Sequence, residues 1–312
     1  QAGAEPIVTL SSDSLGATLL LAVIVLASVI GLFAAPSMIE RVRASKRDVS
    51  TRAVPTSAFP TAARRPLNSR LDTGRLRKGN EDNLYADANE YRGLFIVADG
   101  MGGHVAGEIA SDIARRAVGG TLLEGVDRGL AADDLAHSMV DSFRVADLAI
   151  AEHVAANPET EGMGTTVTAM VVCTDGTYRM GHIGDSRAYL LRDGQLAQLS
   201  RDHTWVQREV DEGRLTPSAA RKHPYSHILT RALGADPSDA PDLQAGQLEA
   251  GDVLLLCSDG LTGMVPDVHL QRILLSEATA AERIEEMIVL ANKRGGRDNI
   301  TAVVVELLPG ED

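Results

Sequence analysis

Two Asp-Gly dipeptides divide the middle of this chain into short apolar segments. Asp175-Gly176 and Asp193-Gly194 each separate two apolar runs within residues 165–199. A two-residue Asp-Gly loop between such runs is typical of a β-hairpin, and strands joined by so short a loop must be antiparallel. A Rossmann-type parallel sheet is therefore excluded for this region, and we expect an antiparallel fold.

The remaining periodicity predicts helices on both sides of the hairpins. Four segments carry apolar residues at helical spacing: 105–123, 131–156, 268–275 and 281–292. Three further apolar runs predict buried strands: 93–98, 253–258 and 300–307. Residues 203–239 are polar, and we interpret them as a helical insertion over a sheet edge. The separation of strands from helices predicts an α+β fold.

Acidic residues stand beside the most apolar strands of the chain. Asp99 and Asp259 follow such strands, and Asp298 precedes another. Three more occupy turns beside strands: Glu81, Asp82 and Asp185. Carboxylates that converge repel one another unless a cation neutralises them, and hard oxygen ligands favour Mg²⁺ or Mn²⁺ over zinc. The sequence thus predicts a cation site, although the abundance of Asp in turns would explain any single position.

Charge and cysteine content exclude two classes of function. The net charge of −13 argues against nucleic acid as a main ligand, because phosphate backbones require clustered Lys and Arg. Cys173 and Cys257 lie in apolar runs and are too few for a disulfide framework, so we expect free core thiols. Cys173 and Arg179 show the Cys-x5-Arg spacing of cysteine-dependent phosphatases. The residues between them form the predicted hairpin turn, so we interpret this spacing as accidental.

A long uncharged segment near the N-terminus predicts a membrane anchor. As a helix rising about 1.5 Å per residue, residues 15–35 approach the roughly 30 Å of bilayer hydrocarbon. Five basic residues follow the segment: Arg41, Arg43, Lys46, Arg47 and Arg52. This asymmetry predicts an external N-terminus and a cytoplasmic remainder. A secretory signal peptide, whose basic flank would precede the apolar run, and a buried core helix are the alternatives.

These features divide the chain into four parts. Residues 1–14 form an extracytoplasmic stub, 15–35 a transmembrane helix, 36–66 a flexible linker rich in Pro, Ser, Thr and Ala, and 67–312 a globular domain. We therefore expect a single-pass protein of the cell membrane whose globular domain lies in the cytoplasm.

Six short motifs within residues 70–308 combine the acidic residues with Gly, Arg, Ser and Thr. They are Arg77-Lys78-Gly79-Asn80-Glu81-Asp82, Ala98-Asp99-Gly100-Met101-Gly102-Gly103-His104, Met163-Gly164-Thr165-Thr166, Ile183-Gly184-Asp185-Ser186-Arg187, Cys257-Ser258-Asp259-Gly260-Leu261 and Gly296-Arg297-Asp298-Asn299-Ile300. In this order they resemble the motifs of the PPM family, the metal-dependent type 2C serine/threonine protein phosphatases, and especially its bacterial members. The resemblance implies a four-layer αββα sandwich of two antiparallel sheets flanked by helices.

The resemblance also implies a role for each acidic residue at a site for two Mn²⁺ or Mg²⁺ ions. Asp99 would bridge both cations. The other ligands would be Asp259 and Asp298 for one cation, and Glu81 and the backbone carbonyl of Gly100 for the second. Asp185, together with Asp259, would hold a third cation.

Further residues would serve catalysis. Arg77 would hold the phosphate, whose oxygens match a guanidinium fork, and Asp82 would orient the attacking water. The implied reaction is direct attack by a hydroxide that bridges the two cations, without a covalent phospho-enzyme. Some family members place a histidine as general acid directly after the Asp-Gly pair, where this chain has Met101. His104 is the nearest candidate donor; the alternatives are a helix-capping role for His104 and a cation-bound water as donor.

We therefore interpret the sequence as a membrane-anchored phosphatase acting on phosphoserine and phosphothreonine in proteins, including protein kinases and their substrates. One alternative is a membrane-tethered scaffold that binds phosphoproteins on the same fold without turnover. Another is a small-molecule phosphohydrolase. We expect the 203–239 segment to select the phosphoprotein, and His203 and Trp205 to anchor this segment instead of binding a ligand.

Overall fold

The computed structural model describes residues 67–88, 92–127, 132–173, 175–236 and 239–307. The predicted stub at 1–14, transmembrane helix at 15–35 and linker at 36–66 lie outside these residues. Within the described ranges, no helix combines the length and apolar character needed to cross a bilayer.

The described residues form eleven strands and seven α-helices. The strands are β1 (Leu67–Asp72), β2 (Asp82–Ala88), β3 (Arg92–Met101), β4 (Gly164–Thr165), β5 (Val167–Cys173), β6 (Thr177–Ile183), β7 (Arg187–Arg192), β8 (Gln195–Gln198), β9 (Asp242–Gln247), β10 (Val253–Cys257) and β11 (Ile300–Glu306). The helices are α1 (His104–Asp127), α2 (Ala132–Ala156), α3 (Trp205–Asp211), α4 (Pro217–Ala220), α5 (Asp259–Thr262), α6 (Asp267–Leu274) and α7 (Ala280–Lys293).

The strands form two sheets in which every pair is antiparallel, as predicted. One sheet has the order β1-β11-β10-β7-β8, and the other has the order β2-β3-β5-β6-β9 with β4 paired to β3. The Asp193-Gly194 turn is the predicted two-residue loop, whereas the loop that contains Asp175-Gly176 is one residue longer, because β5 ends at Cys173 and β6 begins at Thr177. Asp193 and Gly194 have φ of 49° and 75°, and Gly176 has φ of 82°. Two consecutive positive φ values define a type I′ turn, whose twist matches that of a hairpin.

Three apolar layers hold the sandwich together. In β3, Phe95 and Val97 pack between the two sheets, whereas Leu94 and Ile96 pack against α1 and α2 on the outer face. A third layer lies under α6 and α7 and includes Leu255 of β10. Because strand side chains alternate between faces, one continuous apolar run supplies two layers at once. The predicted order of helix, sheet, sheet and helix is confirmed.

Three sequence-based predictions need correction. The described residues of the 203–239 segment are not mainly helical: they form only the short helices α3 and α4, together with turns and isolated bridges. Asp99 does not follow β3 but lies inside it, because the strand continues to Met101 and pairs with β4. The strands β1, β2 and β9 were missed, since none of them carries a continuous apolar run; in the edge strand β9 alternate residues are exposed.

Candidate active site

One cleft of about 470 Å³ gathers most of the candidate site residues that the sequence singled out. Arg77 and every predicted cation ligand line it: Glu81, Asp99, Gly100, Asp185, Asp259 and Asp298. They converge because β2 and β11 begin, and β3, β6 and β10 end, at the same edge of the sandwich. The register confirms this, since Asp82 lies opposite Asp99 and Cys257 lies opposite Ala302.

Asn299 holds the Glu81 segment in place. Its side-chain oxygen accepts a hydrogen bond of 2.8 Å from the Glu81 amide, and its Nδ2 donates to the carbonyls of Thr73 and Gly79. On the other side, the Ser111 hydroxyl of α1 donates to the Glu81 carbonyl at 2.6 Å. The backbone of Glu81 is thus bound from two elements that are distant in sequence.

Asp82 lies behind the cleft and connects two strands of the other sheet. One of its carboxylate oxygens accepts hydrogen bonds from Ser258 Oγ (2.8 Å) and Thr301 Oγ1 (2.6 Å). Burial raises the pKa of Asp82 to about 7, and the two hydroxyl donors oppose that rise. Its Oδ1 is buried and has no hydrogen-bond partner among the described residues. The predicted role in orienting a water stays a prediction.

Two glycines allow α1 to approach β3. A Cβ on Gly100 would lie 2.0 Å from the Gly107 carbonyl oxygen, and a Cβ on Gly107 would lie 2.4 Å from Glu81 Oε2. Side chains at either position would therefore displace the helix or the carboxylate. Gly107 is a residue that the sequence analysis missed, because a helical glycine gives no sign of what it packs against.

Burial and crowding make the carboxylates electrostatically unfavourable as anions. Burial raises the pKa of Asp99 well above its usual range, and repulsion from Asp82 and Asp259 adds to the rise. Burial likewise raises the pKa of Asp185 well above its usual range and that of Asp259 to about 6. A cation would relieve this repulsion. Oxygen donors of this kind fit Mg²⁺ or Mn²⁺.

The donors are not arranged as a preformed cage. Across the described ranges, no three His, Cys, Asp or Glu side chains stand in positions that would hold a metal ion. Instead, the guanidinium of Arg77 lies between two of the carboxylates, 2.8 Å from Asp298 Oδ2 and 3.6 Å from Glu81 Oε1. The residue predicted to bind phosphate therefore pairs with two of the predicted cation ligands.

The predicted proton donor, His104, lies at the start of α1, and its side chain is outside the described part of the structure. Met101 lines the cleft at the position where some members carry histidine. The roles predicted for His104, as proton donor or as a capping residue, and for a water as donor stay predictions.

The opposite wall of the cleft comes from the 203–239 segment, which contributes His227, Leu229, Thr230, Arg231, Ala232 and Ala235. His203 anchors this segment, as expected. Its amide donates to the Gly184 carbonyl (2.7 Å), and the Gly184 amide donates back to His203 Nδ1 (3.1 Å). Since Nδ1 accepts, it carries no proton, and Nε2 lies 3.1 Å from Asp242 Oδ2 and 2.9 Å from Arg231 Nη1. Burial also lowers the pKa of His203.

Cys173 and Cys257 form no disulfide, as predicted. Cys173 lies in β5 and Arg179 in β6, on opposite sides of a hairpin turn. No loop before a helix separates them, so their spacing is accidental.

Comparison with known proteins places this cleft in a family context. The family model of protein phosphatase 2C matches residues 74–304. The serine/threonine protein phosphatase PstP of Mycobacterium tuberculosis is 42% identical over 243 residues, which are 77% of this chain and 44% of that protein. The chain thus spans less than half the length of that relative. The serine/threonine phosphatase stp of Listeria monocytogenes is 37% identical over 238 residues, 76% of this chain and 94% of the relative.

Solved structures give the same result. The crystal structure of the Mycobacterium tuberculosis phosphatase PstP/Ppp matches with a TM-score of 0.71 and 41% identity, covering 78% of this chain and 99% of that one. The PstP catalytic domain in complex with two manganese ions matches with a TM-score of 0.68 and 39% identity, again over 78% and 99%. With its sandwich fold, its acidic cleft and these matches, the chain belongs to the protein phosphatase 2C family.

Proposed function

We propose that this chain is a serine/threonine protein phosphatase that uses two Mn²⁺ or Mg²⁺ ions. The observation that carries the proposal is the convergence of Arg77 and all the predicted cation ligands on one cleft. Relatives named as serine/threonine phosphatases support it, as does the manganese-bound structure of one of them.

Glu81, Asp99, Asp259, Asp298 and the Gly100 carbonyl would hold the two cations, and Asp185 with Asp259 a third. When bound, the cations would activate a water for direct attack on phosphorus and neutralise charge on the phosphoryl oxygens. Asn299 and Ser111 keep Glu81 at the cleft through backbone hydrogen bonds.

Arg77 would exchange carboxylate partners for phosphate. Its guanidinium pairs with Asp298 and approaches Glu81, both of which are proposed cation ligands. Cation binding at these carboxylates would weaken that pairing and leave the planar fork free for two phosphoryl oxygens. The cations would thus bind first, and Arg77 would then contact the phosphoryl group of the substrate.

Membrane attachment is a separate part of the proposal and rests on the uncharged residues 15–35 with their basic flank. We expect the full chain to sediment with membranes, to resist extraction by carbonate and to be digested by protease only from the cytoplasmic side. Extraction by carbonate, or digestion of the folded domain from outside, would contradict the anchor or its orientation.

Phosphorylated proteins, including protein kinases and their substrates, are the proposed partners. The 203–239 segment is proposed to select among them, because it forms one wall of the cleft. Exchange of this segment with that of a relative should change phosphopeptide preference. An unchanged ranking would exclude the segment as the selecting element.

The catalytic proposal is tested with purified chain, p-nitrophenyl phosphate and phosphothreonine peptides. We expect Mn²⁺-dependent hydrolysis, reduced at least about a thousandfold by Asp99→Asn, because one residue would serve both cations. Asp87→Asn in β2, which lines no part of the cleft, is the matched control. Cation and peptide binding without turnover would instead support the scaffold, and preference for phosphorylated metabolites would support a small-molecule enzyme.

A further inference from the structure

A second cavity of about 530 Å³ adjoins the cleft. It lies between the 203–239 segment on one side and α5 and the start of α6 on the other. Asp185, His227 and Asp259 line both cavities, so the two spaces meet at these three residues. A volume of this size suits a small ligand or part of a peptide, and a polypeptide that enters the cleft would pass directly beside it.

Most of the charge that lines the second cavity is already paired. Arg187 donates to Asp202 through Nε (2.8 Å to Oδ1) and Nη2 (2.6 Å to Oδ2). Arg221 of the 203–239 segment reaches across to Asp267 of α6 at 2.6 Å. Within each pair the two opposite charges neutralise each other, so neither pair offers a net charge to a ligand.

Lys222 differs from the other charged residues of this wall. It lines the cavity and is exposed, and its ammonium has no hydrogen-bond or ion-pair partner among the residues that the structure describes. The remaining acids of the cavity, Asp185 and Asp259, belong to the proposed cation site. Although the chain has a net charge of −13, the one uncommitted charge among the described residues that line this cavity is therefore positive. Charge complementarity points to an acidic ligand group.

We propose that the second cavity binds the polypeptide segment flanking the phosphorylated residue, and that Lys222 pairs there with an acidic side chain. This inference rests on the proposed phosphatase function and adds a substrate class to it, the phosphopeptides with an acidic flank. The phosphoryl group occupies the cleft, and the flanking segment passes Asp185, His227 and Asp259, which line both cavities.

The expected effect is moderate, because Lys222 is exposed and water screens the pair. Replacement of the charge should lower the preference for an acidic flank about threefold, and its reversal about tenfold. These values are ratios of kcat/KM between peptides measured on one variant, so a general loss of activity in that variant cancels.

The experiment uses the full chain with Mn²⁺ and a series of phosphothreonine peptides. A single Glu is moved through each position on both sides of the phosphothreonine and compared with Ala and Lys at the same position. We expect the wild type to prefer Glu at one or two adjacent positions. Lys222→Ala should abolish that preference, and Lys222→Glu should transfer it to Lys. Lys293→Glu, the same charge reversal at the exposed end of α7, should retain the wild-type pattern.

Several outcomes would overturn the inference. They are a wild type without positional preference for Glu, an unchanged preference in Lys222→Glu, and an equal change in Lys293→Glu. If neither peptide nor p-nitrophenyl phosphate is hydrolysed, the proposed function fails instead. In that case, fluorescence anisotropy measures how the wild type and the Lys222 variants bind the same peptides, and it still decides whether Lys222 binds an acidic flank.

Discussion

The two walls of the cleft are built in different ways. The strand-end wall carries carboxylates on segments that hydrogen bonds join across both sheets, as Asp82 is joined to Ser258 and Thr301. The wall from the 203–239 segment is formed by turns and isolated bridges between His227 and Ala235, and the segment carries ion pairs near its surface such as Arg214 with Glu209. The first wall therefore has few alternative arrangements, whereas the second is held at a small number of points.

This difference suggests a division of work. Residues proposed for the chemistry lie on the strand-end wall, and residues proposed to meet the protein substrate lie on the segment wall. His203 connects the walls, since it bonds Gly184 twice and also accepts, through its carbonyl, the amide of Thr230. Substitutions should therefore act on catalysis, on stability or on substrate affinity according to the wall that they affect.

The largest expected effect is on the strand-end wall. Arg77→Ala should lower kcat/KM about a hundredfold through loss of a bidentate anion contact, and Arg77→Lys should restore only part of it. Because Arg77 also pairs with Asp298, its removal should strengthen Mn²⁺ binding, which calorimetry can measure. Arg75→Ala, two residues away and bonded to the Asn292 carbonyl, is the control. Equal effects of both variants, or weaker Mn²⁺ binding in Arg77→Ala, would contradict the proposed competition.

The next effect concerns two buried histidines, His182 and His203, whose ring centroids lie 4.9 Å apart. Burial, with the neighbouring His203, lowers the pKa of His182 to about 4. Between that value and about 6.5 the unfolded chain binds a proton that the folded chain does not, so the free energy of unfolding falls as the pH falls. From pH 7 to pH 5 this contribution is about 2 kcal/mol. The free energy of unfolding, measured in urea, should depend less on pH in His182→Gln than in the wild type. An equal pH dependence in both proteins would refute the lowered pKa of His182.

A helical glycine allows a paired test of the strand-end wall. Gly107→Ala should weaken Mn²⁺ binding about tenfold, because its Cβ would meet the Glu81 carboxylate at 2.4 Å. Gly120→Ala in the same helix meets no atom within 4 Å and should raise stability by about 0.5–1 kcal/mol. Calorimetric Mn²⁺ titration and thermal unfolding measure the two effects. Similar Mn²⁺ affinity in both variants would show that Glu81 does not depend on close packing of α1.

The smallest effect should appear at the connection between the walls. In His203→Gln the acceptor for the Gly184 amide is lost, and KM for a phosphopeptide should rise about fivefold. His203→Asn can place an amide oxygen near the Nδ1 position and should recover most of that loss. Steady-state kinetics on both variants distinguish the hydrogen bond at Nδ1 of the His203 ring from the contact at Nε2. If the Asn variant is the worse of the two, the contact with Asp242 matters more than that with Gly184.

The sequence predicted the strand-end wall better than the segment wall, for physical reasons. Alternation and turn chemistry act locally, so the hairpin at Asp193-Gly194 and the two-sided strand β3 were predictable. The acidic residues beside the apolar strands predicted a cation site, but the role of each of Asp99, Asp259 and Asp298 was expected only from the motif resemblance, because sheet order is not a local property.

The missed features depend on contacts between distant residues. The packing of Gly107 against Glu81 and the bonding of His203 to Gly184 leave no periodic signal in the chain. The 203–239 segment was predicted to be helical from its polarity, yet it is positioned by backbone bonds such as the bridge between Thr165 and Leu233. Tertiary contacts decided its conformation, and residue propensities did not.

The most direct test of the central claim is anomalous diffraction at the manganese edge from crystals grown with Mn²⁺. We predict two peaks in the cleft about 3.5–4 Å apart, with Asp99 touching both and Arg77 withdrawn from Asp298. A cleft without anomalous peaks at millimolar Mn²⁺, with Arg77 still bound to Asp298, would contradict the claim that these carboxylates hold a pair of cations.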